Sequence, residues 1–482
     1  MSTPTPAPTA AAPGTDSPFD VIVIGSGPGG YVAAIRAGQL GLRTALVEKD
    51  TRFGGTCLLR GCIPTKALLE SAETIDRAHE AAEFGIAIEG KVSVNVAGVH
   101  KRKDKIVQQN AGGVAFLLKK NKVQTFAGHG RLIGGGKLTV TRDGAVETLT
   151  ARHIILATGS APRVLPHLPV DGKRVLTSDE LLELKEIPTH LLVLGAGAVG
   201  VEFASVFKSF GSNVTIVELM DRLVPVEDDE VSAEFEKIYK RRGIAIHTST
   251  KVVALETTAD GVKATLENAK GEKSTLAASH VLVAVGRRPV TEDCGLDRTN
   301  VQPDRGYLHV DGHQRTTEPG LYAIGDIVAG KPQLAHAASN EGIVAVEHLA
   351  GLNPAALDWT QCPGGTYSNP EIGSIGLTER EARKRGYTVK TGKFPFQAIA
   401  KAKILNNAVG FVKIVADAGC HDQILGVHII GPRATDLIAE AGPLLKNEFT
   451  VSELARIIHA HPTLSEAVVE AAHATLGHAI HL

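Results

Sequence analysis

The 482-residue sequence carries 51 basic and 52 acidic side chains, a net charge of -1, with 43% hydrophobic and 21% charged residues. That length divides into about three or four domains; the near-neutral charge removes the electrostatic case for nucleic acid or an anionic membrane, and no apolar run reaches the ~18 residues that span a bilayer. Five cysteines are too few for a disulfide scaffold, so the expected compartment is reducing, the expected address cytoplasmic, and any local disulfide catalytic rather than structural.

Residues 1–18 are almost wholly Ala, Pro, Thr and Ser, a composition that predicts a disordered tail. The tail has no basic n-region, apolar h-region or arginine, which argues against a secretory signal or a mitochondrial presequence. A short β-branched run predicts a strand over 19–24. Gly25-Ser26-Gly27-Pro28-Gly29-Gly30 then makes a turn, 31–40 reads as a helix, and 43–48 returns as a strand ending on Glu48. In such a βαβ unit Gly25 permits the tight turn, Gly27 lets the backbone approach a pyrophosphate, and Gly30 lets helix and strand pack closely.

Immediately afterwards, Gly54 to Lys66 reads Gly-Gly-Thr-Cys-Leu-Leu-Arg-Gly-Cys-Ile-Pro-Thr-Lys. Cys57 and Cys62, four residues apart beside a phosphate site, suggest a redox-active disulfide. The half-cystine Cα separation of ~4.4–6.8 Å is reachable at a turn opening a helix. Residues 153–160 and 281–289 are strands stopped by glycine, and each reads as a crossing between domains. Between them the dinucleotide unit recurs: strand 190–194, then Gly195-Ala196-Gly197-Ala198-Val199-Gly200, a helix from Val201, and strand 213–218 ending on Glu218. Two units predict two bound dinucleotides, and a carboxylate at Glu218 repels a ribose 2'-phosphate, so the second site prefers NAD to NADP. Residues 321–326 end in Gly325-Asp326, where a strand end could set a carboxylate against cofactor hydroxyls. Past Cys362, strands at 408–416 and 423–430 precede helical stretches at 433–446, 451–457 and 464–475, the pattern of a separate α+β domain suited to dimerisation.

Taken in order, these motifs resemble the dihydrolipoamide dehydrogenases, within the flavin-dependent pyridine nucleotide-disulfide oxidoreductases. The resemblance runs from Phe19 to the C-terminus through both glycine fingerprints, the Cys-x4-Cys segment, Ala-Thr-Gly-Ser, Val-Gly-Arg-Arg-Pro, Ala-Ile-Gly-Asp and His459-Ala460-His461-Pro462-Thr463-Leu464-Ser465-Glu466. It implies an α/β fold with two Rossmann-like domains, for FAD and NAD, plus a C-terminal α+β dimerisation domain. The expected division is 19–160 and 289–360 for FAD, 161–288 for NAD and 361–482 for dimerisation. FAD contacts fall to Gly25, Gly27, Gly30, Glu48, Lys66, Thr158, Gly159, Asp326 and Ala335, and NAD contacts to Gly195, Gly197, Gly200, Glu202, Glu218 and Gly286.

The same resemblance assigns substrate exchange to Cys57, the flavin side to Cys62, and the base to His461 with Glu466 behind its imidazole, a base-and-orienter arrangement. Dihydrolipoamide would attack at Cys57, and its electrons would pass through Cys62 and FAD to NAD+. Lys66 would lie near the flavin and be balanced by Glu202. The implied partners are a second copy of the chain and the lipoyl domains of 2-oxo acid dehydrogenase or glycine cleavage complexes. No metal is expected: His459 reads as support for the turn, and His473, His478 and His481 as a solvated helix end lacking acid partners at ligand spacing.

Arg60 departs from the family's usual pattern and puts a fixed cation between the cysteines, where it would favour a thiolate. Val290 stands where asparagine is usual. Cys294, Cys362 and Cys420 read as incidental thiols. Mercuric reductases resemble the same framework but carry an extra C-terminal thiol pair, absent here, and glutathione reductases want basic residues where Glu218 stands. A purely structural docking subunit of a multienzyme complex would need none of Cys57, Cys62, His461 and Glu466.

Overall fold

In the computed structural model, which describes residues 18–481, the first strand is Phe19–Ile24, with Val21, Ile22 and Val23 fully buried. The expected tail, apart from Pro18, lies outside the described residues. Burial on both faces is the signature of an inner parallel strand. Phe19–Ile24 pairs in parallel with Thr44–Glu48 on one side and Ala145–Leu156 on the other. Gln124–Ala127 and Leu321–Ala323 extend the parallel part, while His129–Gly134 and Lys137–Arg142 add an antiparallel meander, seven strands in all. This sheet belongs to one of two compact units, made of the chain up to Gly55, Gly113–Gly159 and Pro289–Ala356. Helices Pro28–Gln39 and Ala335–Leu349 pack on each other within it, and at their crossing Gly342 is needed because a Cβ there would lie 2.7 Å from the Gly29 carbonyl oxygen.

The second unit comprises Thr56–Gly112, Ser160–Arg288 and the chain from Leu357 onward. Its first sheet is wholly parallel, in the order Ala245–His247, Asn213–Val217, His190–Leu194, His280–Val283, Val175–Leu176. A three-stranded antiparallel sheet, Thr250–Thr257, Val262–Asn268 and Lys273–Ala278, accompanies it. The other large sheet is antiparallel, with Gly364–Thr366, Glu371–Gly376, Gln423–Gly431, Phe411–Asp417 and Val389–Pro395 in spatial order. Helix Glu466–Leu476 packs across its edge strand.

A buried polar cluster ties the two halves of this unit together. Lys413, on the antiparallel sheet and 1% exposed, places its ammonium 2.9 Å from Asp228, 2.8 Å from Glu230 and 2.7 Å from Glu379. Asp228 also caps helix Asp229–Arg241 by accepting from the Glu230 N–H. Burial alone would strip the proton from Lys413, but the carboxylates more than offset it and the ammonium is held above its ordinary range.

The expected elements form with small shifts at their ends. The first helix starts at Pro28 rather than Tyr31 and the second at Ala198 rather than Val201. Both begin directly after the middle glycine, where Pro28 tolerates the first helical position because its missing N–H would have no partner there anyway. The 433–446 stretch breaks into Ala434–Leu437, a 3-10 turn at Ile438–Glu440, and Ala441–Lys446.

Candidate active site

The glycine turns divide their labour. A Cβ on Gly30 would lie 1.9 Å from the Gly25 carbonyl oxygen, and one on Gly200 2.0 Å from that of Gly195, so these two glycines are demanded by the protein's own packing. Gly25 and Gly195 take φ +103 and +99 and press on the Ala157 and Ala284 carbonyls. Gly27 and Gly197, by contrast, have ordinary extended backbones at the N-caps of their helices, and a Cβ on either meets nothing within 4 Å. Neither helix has a side-chain cap or an acid in its first turn, so the terminal N–H groups and the positive end of each dipole suit a phosphate.

Glu48 and Glu218 close these turns in parallel fashion. Glu48 Oε2 accepts from the Ser26 N–H at 2.8 Å and the Ser26 hydroxyl at 2.5 Å, while Oε1 accepts from the Asp50 N–H. Glu218 Oε2 accepts from the Ala196 N–H at 2.6 Å and Oε1 from the Met220 N–H. Each acid thus latches the second residue of its own fingerprint, a structural duty that spacing alone did not reveal. These residues suit the two dinucleotides expected of them, FAD at Gly25, Gly27, Gly30 and Glu48 and NAD at Gly195, Gly197, Gly200 and Glu218.

Around the first of these turns, Thr158 donates its hydroxyl to the Val290 carbonyl at 2.6 Å, and Gly159 takes φ +70. Asp326 lies on the 3-10 turn Gly325–Ile327, half-buried, and Ala335 opens an uncapped 15-residue helix. The turn is held by Glu341, a residue sequence reasoning missed. Its carboxylate, 1% exposed, accepts from the Gly325 N–H at 2.5 Å, and burial pushes its pKa up to about 7. In the second unit Gly286, expected to meet NAD, has φ +103, and its carbonyl accepts from the Arg163 N–H.

The two cysteines sit on consecutive helices, Cys57 in Gly55–Arg60 and Cys62 at the first position of Cys62–His79. Gly61 makes the junction, where a Cβ would lie 2.9 Å from the Thr56 carbonyl oxygen. Both residues are thiols in this structure, half-buried, and hydrogen-bonded to each other. The two thiols are shifted in opposite directions. The hydrogen bond to Cys62, then burial, drive Cys57 far above the ordinary thiol range. The bond received from Cys57 lowers Cys62 against the effect of burial, and Lys66 lowers it further, to about 7.

Lys66 stands one helical turn after Cys62, on the same face. Its ammonium lies 2.8 Å from both Glu202 oxygens, and Glu202 is 3% exposed on helix Ala198–Ser209. The expected Lys66–Glu202 pair is therefore present. The charge of Arg60 bears on Asp179, whose carboxyl burial pushes up and Arg287, Ser178 and Arg60 pull back. The cation acting on both thiols is Lys66.

His461 Nδ1 lies 2.8 Å from Glu466 Oε1, and Glu466 Oε2 accepts from the Thr463 N–H at 2.8 Å. Burial would raise the Glu466 carboxyl, but these two partners outweigh it and hold the group below its usual range. The His461 side chain is 72% exposed, and with Nδ1 engaged it turns Nε2 free for proton transfer. His459 is tied to Glu440 at 2.6 Å and to the Ile457 carbonyl, in keeping with support for the turn. The terminal histidines need a correction. His481 does have an acid partner, Glu470 at 2.6 Å, brought near because the chain turns back after helix Glu466–Leu476. Among the described residues no group of three or more ligating side chains could hold a metal.

The chain matches the family model described as pyridine nucleotide-disulphide oxidoreductase over residues 19–342, and that of its dimerisation domain over residues 362–472. It is 48% identical over 474 residues to a dihydrolipoyl dehydrogenase of Bacillus subtilis, covering 96% of this chain and 99% of that one. It is 46% identical over 455 residues to a dihydrolipoyl dehydrogenase of Chlorobaculum tepidum, covering 94% and 96%. A crystal structure of LpdA from Mycobacterium tuberculosis superposes with a TM-score of 0.86 at 30% identity, covering 94% of this chain and 98% of that one.

Proposed function

The chain belongs to the pyridine nucleotide-disulphide oxidoreductases, and from that premise we propose that it oxidises protein-bound dihydrolipoamide to lipoamide with NAD+ as final acceptor, through a Cys57–Cys62 disulfide. The observation that carries this reading is the pair of thiols at the junction of two consecutive helices, one turn before the Lys66–Glu202 ion pair. FAD, when bound, supplies the two-electron acceptance that links a dithiol to a hydride acceptor.

The chain's own residues account for the thiol chemistry. In the disulfide form a substrate thiolate attacks Cys57 Sγ, because the better leaving group is the more acidic thiol, Cys62. The Cys57–Cys62 bond breaks, a mixed disulfide forms at Cys57, and the electron pair leaves on Cys62, stabilised by Lys66. His461 takes the proton from the second substrate thiol, which then closes the lipoamide disulfide and expels Cys57. Cys57, held far above the ordinary thiol range, takes up a proton at once. Glu466 keeps the His461 tautomer and balances the imidazolium.

We divide the labour along the chain as 19–160 with 289–360 for FAD, 161–288 for NAD, and 361–482 for pairing two copies. The matched dimerisation domain makes the chain a homodimer. The finer partners are the lipoyl domains of 2-oxo acid dehydrogenase or glycine cleavage complexes, and the address is cytoplasmic. Among the described residues no helix is long and apolar enough to cross a membrane. Steady-state NADH formation from dihydrolipoamide tests the proposal, and a Cys57→Ser variant retaining full turnover would refute it.

A further inference from the structure

Tyr367 belongs to none of the motifs above, yet two of its groups meet the lysine-glutamate pair beside the cysteines. The Lys66 ammonium lies over its ring, 4.5 Å from the centroid, and its backbone N–H donates to Glu202 Oε1 at 3.0 Å. Its loop is fixed independently of the side chain. The Asn369 N–H donates to Ser205 Oγ at 3.1 Å, one turn after Glu202 on the same helix, and the Asn369 carbonyl accepts from Arg242 at 2.6 Å. The ring is 42% exposed and faces, with Lys66, a cavity of about 890 Å3, so removing it opens no hole in the core.

Resting on the disulfide-exchange reading, we propose that Tyr367 is a positioning residue: its ring face holds the Lys66 ammonium in the orientation that sustains a thiolate on Cys62. Lys66 alone has four rotatable bonds and one fixed partner, the Glu202 carboxylate, whose charge opposes the thiolate. The negative face of the ring is a second anchor that attracts the ammonium without adding a charge. The charges that bear most on its hydroxyl are Lys66, Glu202, Glu371 and Asp436, and the Lys66 ammonium is the cation that lies over its ring.

The test is the pH dependence of the long-wavelength absorbance that appears when dihydrolipoamide reduces the FAD-loaded homodimer, which reports the Cys62 thiolate. Tyr367→Phe keeps the ring and should titrate within about twofold of wild type. Tyr367→Ala and Tyr367→Leu should both move the titration upward by about half to one pH unit, a loss of roughly three- to tenfold in thiolate ratio. An unchanged or lowered titration in Tyr367→Ala, or rescue by leucine equal to that by phenylalanine, overturns the inference. A wild-type protein that gives no such absorbance overturns the disulfide reading itself, and the inference with it.

Discussion

Replacing Gly197 by alanine should separate the protein's own need for glycine from the ligand's. Gly197 is an N-cap with φ -72 and ψ 177, a conformation open to any residue, and its added Cβ would meet nothing within 4 Å. Exchanging Gly for Ala at an N-cap costs under about 1 kcal/mol, so thermal unfolding of Gly197→Ala should shift by only a few degrees. In the proposed NAD site the methyl would enter the space through which a pyrophosphate approaches the helix end. Overpacking of that kind costs about 1–3 kcal/mol, which becomes a roughly 5- to 150-fold rise in KM for NAD+, with reduction of bound flavin by dihydrolipoamide unchanged. Gly200→Ala is the contrast: its Cβ would stand 2.0 Å from the Gly195 carbonyl oxygen, so two backbone segments must part and both stability and NAD+ binding should fall. The assay is a melting curve and an NAD+ titration on each FAD-loaded variant. A Gly197→Ala protein that binds NAD+ normally, or one that unfolds like Gly200→Ala, would refute the reasoning.

Because Lys66 lowers the Cys62 thiol, Lys66→Met should raise its titration from about 7, so that thiolate is lost at neutral pH, whereas Arg60→Val should leave it in place; the pH dependence of thiolate absorbance in the reduced proteins checks both. His461→Ala should lower turnover by about 10²- to 10⁴-fold. The exposed imidazole leads us to expect activity to reappear in mixed dimers of His461→Ala and Cys57→Ser chains, measured after co-refolding; no recovery at any mixing ratio would count against a site completed by two copies. For Glu341, a folded-state value of about 7 against an ordinary 4.5 means that the folded protein holds the proton longer. Its contribution is therefore intact below about 4.5 and is lost as pH rises towards 7, on the order of 3 kcal/mol. Glu341→Gln should flatten that slope in denaturant titrations across the range.

Both dinucleotide units were legible because short β-branched strands, glycine turns and terminal acids lie within about 30 residues of one another, close enough for spacing to stand in for geometry. Cys57 with Cys62 was legible for the same reason, whereas the roles of His461 and Glu466 came through resemblance. Lys66 and Glu202, 136 residues apart, were paired through resemblance rather than spacing. Tyr367 and Glu341 were missed. One is a single aromatic in a Gly, Ser, Asn and Pro loop, the other one acid on a helix, and only tertiary packing brings them to Lys66 and Gly325. The bearing of Arg60 on Asp179 was not legible for a similar reason: closeness in sequence to two cysteines does not fix which way a long side chain extends.

The opposite shifts of the Cys57 and Cys62 thiols also set how the pair responds electrochemically to acidity. With Cys62 lowered to about 7 and Cys57 far above the ordinary thiol range, the reduced pair should keep one proton for two electrons above about pH 7 and two below it. For a two-electron couple each bound proton moves the potential by about 30 mV per pH unit. The disulfide should therefore follow a line of about 30 mV per unit in mildly alkaline solution and bend to about 60 mV per unit on acidification, the bend marking the Cys62 thiolate.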